Sequence, residues 1–138
     1  MTGRGAAVVL DASALLAYLL GEAGRDLVED ALAAGASMSA VNYAEVLSRL
    51  GATDADLGAV QRVLASLGLS GNLLTVLPFR SADAETVARL RAPTRAFGLS
   101  LGDRACLAAA LRLGAVALTA DRAWAALDVG VEVRIVRP

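Results

Sequence analysis

Residues 8–20, VVLDASALLAYLL, carry the reading that decides the fold class. With Ala7 ahead of them, residues up to Leu10 form a short run that is apolar at every position, the pattern of a strand covered on both faces. Asp11 interrupts the run, and Ala14, Leu15, Tyr18 and Leu19 then recur at helical spacing until Gly21. A doubly covered strand that feeds directly into a helix belongs to a sheet with helices on its faces.

The rest of the chain repeats this alternation. A second helix is expected from Arg25 to Ala33, ended by Gly35, then a weak strand at Ala36–Ser39 and a helix from Val41 to Leu50 in which Glu45 and Arg49 form an i, i+4 pair. Thr53 to Leu67 opens with a TDAD cap pattern and continues as an amphipathic helix, with Gly68–Asn72 as the following loop. Leu73–Leu77 reads as a buried strand, Ser81–Arg91 as a helix stopped near Pro93, and Gly102–Leu113 as an Ala-rich helix. A strand at Ala115–Thr119, a short helix at Arg122–Leu127 and an alternating last strand at Val131–Val136 complete the chain. The economical architecture is α/β: one domain over residues 1–138, with a parallel sheet of about five strands between helices.

Composition then removes several chemistries. All thirteen basic residues are Arg, and the 138 residues contain neither Lys nor His. This excludes a Ser-His-Asp triad, a His zinc ligand, a P-loop lysine and a Schiff base within the chain. The single cysteine, Cys106, has no His partner and reads as a small core residue; one thiol is compatible with a reducing cytoplasm, the expected location. Asp11 and Arg112 each break an apolar run before it reaches the length of a membrane span, so neither export nor membrane insertion is expected.

What remains for catalysis is carboxylate, hydroxyl and arginine, and the carboxylates fall at telling places. Asp11 follows the first strand, Glu45 lies in the helix after the second, Asp103 opens the Ala-rich helix and Asp121 follows the fourth strand. Each has a local explanation: Asp11 and Asp121 as helix caps, Asn42-x-x-Glu45 and Ser100-x-x-Asp103 as capping boxes. In a parallel sheet, however, all these positions arrive at the rim beyond the carboxyl ends of the strands, where ligands bind near the reversal of winding direction. Two carboxylates about 4 Å apart repel by about 4 kcal/mol at an effective dielectric near 20, and Ser or Thr would cap almost as well. An all-carboxylate rim therefore makes best sense around a hard divalent cation, Mg²⁺ or Mn²⁺, which lowers the pKa of a water and polarises a phosphoryl oxygen. Ser13, Asn42 and Thr119 stand where they could hold water or a phosphate oxygen, with local turns or caps as the competing explanation. Arg122 beside Asp121 is a candidate phosphate contact.

The segments VVLDASALLAYLLGE (8–22), SAVNYAEVLSRL (39–50), GLSLGDRACLAAALRLGA (98–115) and ALTADRAW (117–124) together resemble the PIN domain, specifically the VapC toxins of bacterial toxin–antitoxin pairs. The resemblance spans Val8 to about Val136. It implies a three-layer α/β/α domain and a metal-dependent endoribonuclease that leaves a 5′-phosphate and a 3′-hydroxyl. The family's acids fall on Asp11, Glu45, Asp103 and Asp121, with Asp11 and Asp103 as the main metal ligands, and its hydroxyl positions on Ser13 and Thr119. It also implies a cognate VapB-like antitoxin, a homodimer, an RNA substrate, and binding to operator DNA only through the antitoxin. Arg104 departs from the small residue that often follows the third acid, leaving a solvated helix position or a phosphate contact as its two readings.

Three competitors are weighed against this. A phosphoacceptor receiver and a haloacid-dehalogenase-like phosphatase both need a lysine that the chain lacks. A catalytically inactive PIN-like protein that binds RNA or a partner is opposed by the presence of all four acids. Charge is no obstacle to RNA: apart from those four, ten acids face thirteen arginines. Trp124 reads as a packing residue, and with aromatic content at 4%, base stacking is expected to be limited.

Overall fold

The computed structural model describes residues 7–51, 57–66 and 73–137. Its element order is β1 (Val8–Leu10), α1 (Ala12–Leu19), α2 (Arg25–Ala33), β2 (Ala36–Ser39), α3 (Ala40–Gly51), α4 (Leu57–Ser66), β3 (Leu74–Leu77), α5 (Ser81–Arg89), α6 (Arg91–Thr94), α7 (Leu101–Leu113), β4 (Val116–Thr119) and β5 (Val133–Ile135), with 3₁₀ turns at Arg95–Phe97 and Arg122–Ala126. The TDAD pattern and the 68–72 loop fall outside the described residues.

The five strands form one sheet in the order β3-β2-β1-β4-β5, every pairing parallel, with Val9 opposite Ser37 and Leu10 opposite Leu118. Side chains alternate between its faces. Leu10, Val116 and Leu118 join Leu15, Val28, Met38 and Val46 in a core beneath α1, α2 and α3. Val9 and Ala117 join Val87, Cys106, Leu107 and Trp124 in a second core beneath α5 and α7. This is the expected three-layer α/β/α arrangement. The alanines of α7 serve it directly: Ala105, Ala108, Ala109 and Ala110 are all buried, and their short side chains let this helix lie close to the sheet.

Several local expectations need correction. Leu73–Leu77 is not a fully buried strand: β3 is an edge that pairs only with β2, so Leu74 is buried while Thr75 and Val76 are exposed. The helix starting at Ser81 ends at Arg89, and Pro93 lies inside the separate turn α6, whose first residues have no backbone partner for their N–H groups in any case. The segment after Asp121 is a 3₁₀ turn, and the last strand shrinks to Val133–Ile135, flanked on one side only by β4. Among the described residues no helix is long and apolar enough to cross a membrane.

One consequence of the strand order positions the site. The chain winds outward from β1 through β2 to β3, then returns to place β4 on the other side of β1. The reversal therefore lies between β1 and β4, and the residues following Leu10 and Thr119 meet at its carboxyl end.

Candidate active site

Asp11 sits at that meeting point. It leaves β1 with its N–H donating to the Leu118 carbonyl at 3.1 Å, and its carboxylate caps α1 by accepting from Ala14 N at 2.8 Å. The Ser13 hydroxyl donates to the same carboxylate, 2.8 Å from Oδ1 and 2.9 Å from Oδ2, and the Thr119 hydroxyl donates to Oδ2 at 2.5 Å. Each hydroxyl in turn accepts a backbone N–H from the segment after β4, Ala120 onto Ser13 at 2.9 Å and Asp121 onto Thr119 at 3.0 Å. Ser13 and Thr119 thus stitch the ends of β1 and β4 together through the Asp11 side chain.

Burial of Asp11, 3% exposed, pushes its carboxyl from the ordinary 3.8 up to about 6. Desolvation is the main cause, opposed by the donors of Thr119, Ala14 and Ser13 and reinforced by the negative charge of Asp103. The folded chain then holds this proton more tightly than the unfolded chain does. Stability is consequently lost as pH rises through the window from about 4 to about 6 and the full penalty is present above it. In a chelating buffer the protein is expected to lose about 2 kcal/mol between pH 4 and pH 7 relative to an Asp11→Asn variant. Urea unfolding of both proteins at the two pH values measures this, and parallel pH dependences would contradict it.

Asp11, Glu45, Asp103 and Asp121 all line one open pocket of about 420 Å³ at the carboxyl rim of the sheet. The remaining walls come from α1 with Ala12, Ser13 and Leu16, from Leu20 just after it, and from Glu22, Arg49 and Arg137. Asp103 and Ser100 form the expected capping box of α7, with Ser100 N donating to Asp103 Oδ2 at 2.9 Å and Asp103 N to Ser100 Oγ at 3.1 Å. Asp121 caps the following 3₁₀ turn through Ala123 N at 2.9 Å. For these three acids the capping and the pocket-lining readings are both true.

Asn42 and Glu45 are not a capping box. The helix has already begun at Ala40, where Ser39 Oγ accepts from Val41 N at 3.2 Å, so Asn42 stands within its first turn. Its Nδ2 donates to Glu45 Oε1 and to the Gly102 carbonyl, both at 2.8 Å, tying α3 to α7. Arg104 departs from both of its readings: it turns away from the pocket and donates from Nη1 to the Val87 carbonyl at 2.9 Å, a strut between α7 and α5. Arg122 lies in an adjoining pocket with Ser13, Asp121 and Arg137.

The donor set consists of carboxylate and hydroxyl oxygens, which suits a hard divalent cation. The ion pairs Arg112–Asp83, Arg134–Glu132 and Arg137–Glu22 leave the four acids aside. Among the described residues, however, no three acids are gathered closely enough to hold one ion together. Each carboxylate is drawn to its own donors instead, as mutual repulsion dictates. Cys106 lies fully buried, where desolvation and the charges of Asp11, Asp103 and Glu45 push its thiol well above the ordinary range, so it offers no thiolate.

Gly102, Arg49 and Arg137 were not singled out as site residues from the sequence. Arg137 gave no signal. Arg49 was visible only as a helix partner of Glu45. Gly102 had one sign, a glycine inside a helix pattern, which ordinarily has a packing reason.

The PIN domain family matches residues 8–130 of the chain. No curated protein matches it. Among solved structures, it is similar to a chain of VapBC-5, a member of the VapBC family of toxin–antitoxin systems from Mycobacterium tuberculosis. That match has 27% identity and a TM-score of 0.62, covering 97% of this chain and 100% of the other. A chain of DNA-bound VapBC from Salmonella typhimurium shares the fold at 17% identity and TM-score 0.67, with 96% and 99% covered. FitAcB from Neisseria gonorrhoeae does so at 22% and 0.65, with 94% and 97% covered.

Proposed function

The chain belongs to the PIN domain family, and from that premise we propose that it is a Mg²⁺- or Mn²⁺-dependent endoribonuclease, the VapC-like toxin of a toxin–antitoxin pair. The observation that carries the proposal is the arrival of four carboxylates, from stretches of chain as far apart as residues 11 and 121, in one pocket at the switch point of the sheet.

Asp11 and Asp103 are the principal ligands, with Glu45 and Asp121 beside them. A divalent ion held there supplies Lewis acidity toward a phosphoryl oxygen and lowers the pKa of water. Ser13 and Thr119 fix the direction of the Asp11 carboxylate, and Asn42 does the same for Glu45. A carboxylate of the pair Glu45 and Asp121 accepts the proton of the attacking water. The new bond joins that oxygen to phosphorus as the bond to the 3′ oxygen breaks, and the departing 3′ oxygen takes a proton from solvent water, leaving a 5′-phosphate and a 3′-hydroxyl. Arg49, Arg122 and Arg137, around this pocket and the adjoining one, present guanidinium forks to the RNA backbone.

The VapBC and FitAcB likenesses support a VapB-like antitoxin as the partner, and the DNA-bound neighbour supports operator binding by the complex, through the antitoxin. A homodimer in the cytoplasm completes the reading. The test is cleavage of single-stranded RNA by the purified protein. Fragments bearing 5′-phosphates are expected with Mg²⁺ or Mn²⁺, and none in excess EDTA until the metal is restored; full cleavage in EDTA would remove the mechanism. Expression without an antitoxin is expected to arrest growth, whereas harmless accumulation of soluble protein would favour the inactive, partner-binding reading.

A further inference from the structure

Gly102 is the second residue of α7, inside the helix, where glycine weakens helix formation relative to alanine. A Cβ built on it would lie 2.6 Å from both Oε1 and Oε2 of Glu45 and 2.7 Å from Cδ. The Glu45 carboxylate therefore occupies the space that any other residue at position 102 would fill.

Asn42 holds the same carboxylate by a hydrogen bond. It is 1% exposed, and its two partners, Glu45 Oε1 and the Gly102 carbonyl, are both acceptors, so only its NH₂ can face them. That orientation leaves Asn42 Oδ1 buried without a partner among the described residues, a cost that an apolar residue at this position would not carry. A helix-weakening glycine and an orphaned amide oxygen thus occur together, and what they share is contact with one carboxylate.

We infer that Gly102 and Asn42 are positioning residues that seat the Glu45 carboxylate against the first turn of α7, Gly102 by leaving room for it and Asn42 by holding it. The use made of that seat rests on the ribonuclease reading; the seat itself is a matter of packing. Since the obstructed atoms are the far end of a flexible side chain, Gly102→Ala swings Glu45 out of place without disturbing the helix.

The experiment compares the parent with Gly102→Ala, Asn42→Ala, Glu45→Ala and the double variant Gly102→Ala/Glu45→Ala. For Gly102→Ala, the Tm is expected to equal or exceed that of the parent, because alanine favours the helix. Its kcat on RNA with Mn²⁺ falls about 100-fold with KM nearly unchanged, and Mn²⁺ affinity, titrated calorimetrically on the protein alone, falls about tenfold. Asn42→Ala lowers kcat about tenfold. Once Glu45 is alanine, adding Gly102→Ala changes kcat and Mn²⁺ affinity less than about twofold, since nothing is left to displace. Parental kcat and Mn²⁺ affinity in Gly102→Ala overturn the inference, as does a full multiplicative loss in the double variant. A parent that binds Mn²⁺ but does not cleave RNA sinks the ribonuclease reading alone, and the affinities then decide the seat; a parent that binds no Mn²⁺ also sinks that reading, and Tm decides the seat, a larger gain from Gly102→Ala once Glu45 is alanine supporting it and equal gains in both backgrounds overturning it.

Discussion

Asp11→Asn is expected to reduce RNA cleavage by about a thousandfold or more while making the metal-free protein more stable at pH 7. The two effects share one cause. An ionised carboxylate that is 3% exposed and lies near the charge of Asp103 is held at a cost that its three hydrogen-bond donors only partly offset. Asparagine keeps an oxygen for Ala14 N and turns its NH₂ toward the Thr119 hydroxyl, which can accept as well as donate, so the α1 cap and the β1–β4 stitch survive, while the charge disappears. What is lost is the anionic ligand at the centre of the pocket. Cleavage assays on RNA, paired with urea unfolding in EDTA, separate the two quantities. A variant that is inactive and also less stable would make Asp11 a structural residue; one that cleaves at the parental rate would end its assignment to the site.

Trp124→Ala is expected to cost about 3–5 kcal/mol of stability. Trp124 is the largest fully buried side chain, 0% exposed, in the 3₁₀ turn immediately after Asp121. Its core is built largely of alanines on α7, together with Val9 and Leu107. Alanines have no side chain to move into a void, so the cavity stays open and the cost falls toward the upper end of that range. The indole Nε1 is buried without a partner among the described residues, and its removal offsets only a small part. Equilibrium unfolding in urea reports the change. A loss under 1 kcal/mol would mean that the turn carries the indole as an appendage, not as a wedge between α7 and the sheet.

The layers of the fold were legible because a parallel sheet writes itself as doubly apolar runs broken by helices, and 8–10 and 116–118 are such runs, whereas Ala36–Ser39, with serine at alternate positions, gave only a weak signal. The rim acids were legible because strand ends in such a sheet face one way, and the four predicted carboxylates do line a common pocket. What periodicity cannot show is where a long side chain goes after it leaves its helix. Arg104, one residue from Asp103, reads from the sequence as a solvated helix position or a phosphate contact, yet its guanidinium runs back to a carbonyl of α5. Asn42 matched a cap motif by spacing, but spacing does not tell where the helix begins, and Ser39 had already taken that position. Nor does a pattern of apolar residues reveal that β3 is an edge, since that depends on which strand pairs with which.

The hydrogen bond from Thr119 to Asp11 joins residues 108 positions apart, and Ser13 meets Ala120 across 107. Contacts of such long sequence separation form late and slowly. During translation, the first Asp is therefore made long before the strand that completes its surroundings leaves the ribosome. A nascent or prematurely terminated chain ending before residue 116 lacks β4 and cannot assemble the pocket. On the proposed toxin reading, any cleavage is thus deferred until β4 has been made, the stage at which an antitoxin made beforehand can capture the chain.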